Sequence, residues 1–158
     1  MQKIVEAREQ AQQRTDSESE WIGTEAIQKV HVTSEDPSAP IENVFNPETR
    51  VGWRAGNPGE QQIRLTFENP IRLHRIQLEF AEIHEERTQE FVLRWAENAN
   101  GQRKEVFRQR WNFSPSGSTR EFEDYRVNLD GVSVLELDLI PDVSRPDAIA
   151  SLTQLRIA

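Results

Sequence analysis

Residues 90–113, EFVLRWAENANGQRKEVFRQRWNF, hold two runs of strict alternation joined by Asn98-Ala99-Asn100-Gly101. Phe91, Leu93 and Trp95 point one way, and Val92, Arg94 and Ala96 the other. Beyond the linker, Phe107, Gln109, Trp111 and Phe113 share one face, and Val106, Arg108 and Arg110 share the opposite face. A helix cannot bury a period of two, and a short Asn-Gly linker turns a chain back on itself, so this stretch reads as a β-hairpin. Such a hairpin needs further strands to cover its apolar face, and that demand governs the rest of the chain.

The demand is met from residue 30 onward. Val30 and Val32 alternate with His31 and Thr33. Ile63, Leu65 and Phe67 form a second run, and Ile76, Leu78 and Phe80 a third. Leu73 falls out of that third phase, which predicts a β-bulge near His74. Tyr125, Val127 and Leu129 share a face, as do Leu135, Leu137 and Leu139, and Leu155 with Ile157 closes the chain. Turns are expected at residues 56–59, at Asn69-Pro70, at residues 115–118 and at Asp130-Gly131, and short helical turns at residues 24–28 and 148–152. Residues 81–89 read as a polar loop. About eight strands with turn signals at roughly 8–12-residue spacing predict an all-β antiparallel jelly-roll sandwich.

The first 29 residues read differently, as a helical extension and linker ahead of a domain over residues 30–158. Residues 1–14 are good helix formers with a thin apolar stripe of Ile4, Val5, Ala7 and Ala11, suited to packing against one partner or to oligomerisation. This end has no apolar core of a signal peptide, which points to the cytoplasm, and no run approaches a membrane span.

Charge narrows the partners. The 158 residues carry a net charge of -8 with a pI near 5.0, which argues against nucleic acid and anionic membranes as partners of the whole surface. There is no cysteine, hence no disulfide and no thiolate metal site. His31, His74 and His84 are scattered, and neither a Gly-x-Ser-x-Gly elbow nor a glycine-rich phosphate loop is present, so no enzyme is expected. Arg64, Arg75, Arg94, Glu79, Glu136 and Asp138 alternate along strands and read as cross-strand ion pairs.

The order of landmarks resembles the discoidin, or coagulation-factor type C, branch of the galactose-binding-like jelly rolls, over about residues 30–158. The matching segments are ENVFNPETRVGWR with Trp53, then QQIRLTFENP, IRLHRIQLEF, FVLRWAENANGQRKEVF, VLELDLIPD and SLTQLRIA. The resemblance implies ligand binding at loops on one end of the sandwich, with glycans the usual ligand. It also implies a structural calcium beside the early loop, closed by a Glu of the last strand. Here those positions hold Asn46-Pro47 and Gln154. Calcium favours several carboxylates. With two lost, no cofactor is expected, and Glu42, Asn46 and Glu48 are the residues left to hold one.

A sugar presents an apolar face and a ring of hydroxyls, so its site wants an aromatic ring beside charged or amide groups. The candidates are Arg54 after Trp53, then His84, Glu86 and Arg87 with Glu85 on one loop, and Trp111, Asn112, Phe113 and Arg120 around another. Trp53, Phe91 and Trp95 are expected in the core. The sequence supports a non-catalytic carbohydrate-binding module first, and second a protein-interaction or assembly module using the sandwich and the N-terminal helix.

Overall fold

The computed structural model describes residues 21–158; the helix and linker expected over residues 1–20 lie outside it. The strands are β1 (Ile27–Val32), β2 (Trp53–Arg54), β3 (Gln61–Ala81), β4 (Arg87–Ala96), β5 (Lys104–Phe113), β6 (Arg120–Ile140), β7 (Ser151–Leu152) and β8 (Gln154–Ile157). The main sheet runs β1-β3-β6-β4-β5, with β8 added to β3, and every pairing is antiparallel. The hairpin is there: β4 and β5 pair from Arg87↔Phe113 to Trp95↔Lys104.

β3 and β6 are each 21 residues long and serve two layers. The first part of β3 pairs with β1 and with the last part of β6, which in turn pairs with β4. The last part of β3 pairs with β8 and with the first part of β6. The strands bend between these parts. Thr66 pairs with Val134, but the next pair is Ile71 with Val132, and further shifts follow at Leu73 and Arg75. The result is a five-stranded layer facing a three-stranded one. Phe80 of the second stacks on Phe91 of the first, with ring centroids 5.4 Å apart.

The bend corrects two expectations. Asn69-Pro70 and Asp130-Gly131 do not end strands; they lie inside β3 and β6. Pro70 falls where the ladder is interrupted, so its missing N–H breaks no pair. Gly131 adopts φ +71° opposite that interruption. The bulge expected near His74 is present, and the His74 and Arg75 amides both donate to the Ala158 carbonyl.

The alternating sets meet in one core. Ile63, Leu65, Phe67, Ile76, Leu78, Phe80, Phe91, Leu93, Leu135, Leu137, Leu139, Leu155 and Ile157 are all buried in it. Trp53 is fully buried, its indole N–H donating to the Ser34 carbonyl at 3.1 Å. Trp95 is half-buried against the cluster, with Lys104 over its ring. On the wet side of the larger layer the expected ion pairs form: Arg64 and Arg103 both bond Glu136, and Arg94 bonds Asp138. Residues 148–152 are not helical. Ala150 and Ala148 accept from the Ala55 and Gly59 amides, and Ser151–Leu152 pairs with Trp53–Arg54.

Between β4, β5 and the first part of β6 the filling turns polar. Gln89, fully buried, donates to Glu121 Oε1 at 3.1 Å. Tyr125 stacks on Phe107 and donates to Glu123 at 3.1 Å. Glu121 Oε2 is buried with no partner. Burial, and then Glu123 beside it, push the Glu121 carboxyl up to about 8, with Arg87 and the Gln89 bond opposing.

An unfolded chain ionises this carboxyl near 4.5, while the fold keeps its proton to about 8. The folded state binds more protons across that window, so this contribution to stability is complete below pH 4.5 and is lost as pH rises toward 8. Glu121→Gln keeps the acceptor for Gln89 and removes the titration. Urea unfolding should show the variant more stable than the parent by about 1–2 kcal/mol at pH 8, with the gap closing at pH 5. An equal gap at both pH values would refute this account.

Candidate functional site

The loops at one end of the sandwich, over residues 33–40, 55–60, 82–86, 114–119 and 141–150, are bound to one another. Glu82 organises its own loop: its carboxylate accepts from the His84 amide at 3.1 Å, the Glu85 amide at 3.4 Å and Arg87 Nε at 2.8 Å. Burial opposes that charge, but Arg87 and the two amides outweigh it and hold the Glu82 carboxyl below its ordinary value. Asp142 does the same for residues 142–145, accepting from the Ser144 amide and hydroxyl and from Arg145 Nε. Arg145 Nη2 then reaches Glu85 at 3.2 Å, and the Val143 amide donates to the Thr88 carbonyl at 2.8 Å. Two loops are thereby locked together.

They enclose a polar hollow of about 150 Å³ lined by Arg54, Glu82, His84, Glu85, Asp147 and Ile149. That is about five water volumes, room for much of one sugar ring. Arg54 and His84 are both exposed, so an imidazole and a guanidinium face carboxylates across a small gap. Such a set can donate to and accept from a ring of hydroxyls at once. The apolar components are aliphatic: Ile149 in the wall, with Ile83 and Val143 on the same loops 63% and 41% exposed.

The structure therefore divides the sequence candidates. Arg54, His84 and Glu85 converge. Glu86 is exposed on the same loop but does not line the hollow. Arg87 is not a loop residue: it opens β4, is 2% exposed, donates to the Pro141 carbonyl at 2.8 Å and lies over the Phe113 ring at 4.8 Å. Its role is to hold the loops. Phe113 is fully buried core and no sugar platform. Trp111 is half-buried, with its indole N–H inside the fold. Asn112 points outward and accepts from the Thr88 hydroxyl at 2.8 Å. Arg120 opens β6 and bonds Glu79 on the outer face of the three-stranded layer. Glu82, Asp147 and Ile149 were missed. Of these, Glu82 lay within the polar loop read over residues 81–89.

A larger hollow of about 510 Å³ lies along β1, where Ile27, Val30, Phe45 and Pro47 line it and Glu42 and Asn46 stand at its edge. Its exposed wall is more apolar than polar, although Thr24, Gln28 and Lys29 also line it; the smaller hollow is the one that gathers residues from the candidate loops, and that makes it the candidate site.

The calcium position is filled by the chain itself. Gln154 Nε2 donates to the Asn46 carbonyl at 3.4 Å and the Thr49 carbonyl at 3.3 Å. An amide N–H there performs the bridging that a cation would perform, and it cannot ligate one. Asn46 Oδ1 is taken by the Glu48 amide at 3.0 Å, and no cluster of three metal-ligating side chains occurs among the described residues. Asn46 is thereby engaged within its own turn, and Glu42 and Glu48 belong to no such cluster.

No family profile matches the sequence, and no curated protein matches it. Solved structures do match. The family 32 carbohydrate-binding module of Clostridium perfringens NanJ, in complex with galactose, superposes with a TM-score of 0.65 at 12% identity, over 87% of this chain and 97% of that one. A pectin-binding carbohydrate-binding module gives 0.61 at 14%, over 83% and 89%. The family 32 module of AlyQ, in complex with 4,5-unsaturated mannuronic acid, gives 0.55 at 18%, over 84% and 95%. The fold is the β-sandwich jelly roll that these modules share.

The Gln154 bridge makes the loop independent of metal. Thermal melts of the parent should be unchanged by EDTA or by calcium. Gln154→Glu, which sets a carboxylate against two carbonyls, should lose about 1 kcal/mol in EDTA. A melting temperature of the parent that falls in EDTA would overturn this reading.

Proposed function

We propose that this chain is a non-catalytic carbohydrate-binding module that takes a neutral sugar in the loop-end hollow. The observation that carries the reading is the convergence of Arg54 from β2, His84 and Glu85 from one loop and Asp147 from another around one small polar space. Arg54 donates to adjacent hydroxyls, His84 donates or accepts according to its tautomer, and the carboxylates accept. Ile149 covers part of the apolar sugar face. The carboxylates of Glu82, Glu85 and Asp147 would repel an acidic sugar at this position, which favours a neutral one. The sugar-bound modules that share the fold, among them one with galactose, support the reading.

The site is held by loop-to-loop bonds that leave Arg54 and His84 themselves exposed, so both can be changed without unfolding the chain. A glycan array should show binding of a neutral monosaccharide or short oligosaccharide at millimolar affinity. Arg54→Ala and His84→Ala should each weaken it about tenfold, the loss of one or two charge-assisted hydrogen bonds. A silent array, or two variants that bind as the parent does, would reject this site.

A further inference from the structure

The outer surface of the three-stranded layer carries a charge opposite to that of the chain. Ile76, Leu78, Phe80, Leu155 and Ile157 point into the core, so their neighbours along β3, β6 and β8 point to solvent. Arg75, Arg120, Arg126 and Arg156 lie in that outward set, and Arg50 and Arg72 join it from the flanks. Among the described residues its carboxylates are Glu79 and Asp124, with Asp130 at the end nearest Arg72. Arg50 and Arg120 both bond Glu79, and Arg75 grips Asp124 with two hydrogen bonds of 2.9 and 2.7 Å. Arg72 meets only the neutral Asn128 among the described residues. Among the described residues, six guanidiniums against three carboxylates leave three positive charges in excess, on a chain whose net charge is -8. Arg156 has no carboxylate partner among the described residues; burial, and then the charge of Arg75, hold it below its ordinary pKa.

Aromatic rings lie among these cations. Phe122 is 45% exposed on the same face, with the Arg120 guanidinium 5.1 Å from its ring. Trp21 lies beneath Arg156 at 4.2 Å and near Arg75 at 5.1 Å. From Arg120 to Arg126 the strip runs about 20 Å, enough for several sugars in a row.

We propose that this face is a second binding surface, separate from the loop-end hollow, and that its ligand is a uronic-acid polysaccharide. Guanidinium pairs with a planar carboxylate through two parallel hydrogen bonds, and an exposed ring covers the C–H face of a pyranose. A polymer with one carboxylate per sugar presents both features in repeat. Duplex nucleic acid, with one charge per ~1.7 Å, would bring a far denser negative charge against an otherwise acidic chain. The two surfaces sort ligands by charge: the hollow, with its carboxylates, suits a neutral sugar, and this face an acidic one.

Affinity electrophoresis of the full chain through gels holding polygalacturonate, neutral galactan or a single-stranded DNA oligonucleotide tests the proposal. Polygalacturonate should retard the parent and Arg54→Ala alike, and added salt should weaken the retardation. Arg72→Gln with Arg126→Gln, both exposed, should weaken binding about tenfold with the melting temperature preserved. Phe122→Ala, a surface change that strands no buried charge, should weaken it severalfold and stands in if the double variant fails to fold. No retardation by polygalacturonate, variants retarded as the parent is, or equal retardation by DNA would each overturn the proposal. Loss of polygalacturonate binding in Arg54→Ala would assign the ligand to the hollow instead, and would also overturn it.

Discussion

The antiparallel pairing of β3 with β6 holds both layers of this protein. Each strand is 21 residues long, and the two stay bonded from Gln61↔Leu139 to Ala81↔Arg120 across an interruption near residues 67–75. A sandwich of separate sheets would depend on side-chain packing alone to join them. Here the backbone ladder itself crosses from one layer to the other. The bulges supply the bend, since unpaired residues on one strand raise the local twist and turn the sheet over its own core. β1, β4 and β8 add to this spine and β5 to β4, and the loops at one end are the exits of the strands it aligns.

That geometry explains how charge is distributed. Inside, the larger layer meets the smaller one through apolar contacts except where β4, β5 and the start of β6 converge, and there Gln89, Glu121 and Arg87 are enclosed. Arg87 bonds Glu82, Gln89 and the Pro141 carbonyl, so it ties three elements at the base of the loop end. Its burial is offset by those bonds and by the Phe113 ring. Arg54 and His84, which line the hollow, stay exposed because this buried anchor takes the structural work away from them. On the outer face of the smaller layer the arginines outnumber the acids among the described residues, so the protein's positive surface lies on a different face from the hollow.

The strands were legible wherever alternation was clean. Ile63, Leu65 and Phe67, Leu135, Leu137 and Leu139, and the 90–113 hairpin all occupy the faces that their spacing required. The misreadings have physical causes. Asn69-Pro70 and Asp130-Gly131 carry the chemistry of turns, yet a long strand that bends needs the same residues, and local sequence does not separate the two cases. Residues 148–152 favour a helix locally, but hydrogen bonds from Ala55 and Gly59 draw them into a ribbon. Arg87 read as a loop residue because it is charged, and its partners lie on other elements. Trp111 and Phe113 extend the apolar phase of Phe107 beside a loop, which suits either core or platform, and the structure packs both against the core.

By itself the sequence determined the fold class, the inward face of most strands, the hairpin and the absence of thiol chemistry, because each follows from local period or from composition. Tertiary structure alone decided which loop residues meet. Arg54, His84 and Asp147 come together only because three chain exits lie at one end of a bent pair of strands. Likewise Gln154 bridges Asn46 and Thr49 across more than a hundred residues. Contacts of that kind are set by strand register and loop closure, and no stretch of neighbouring residues records them.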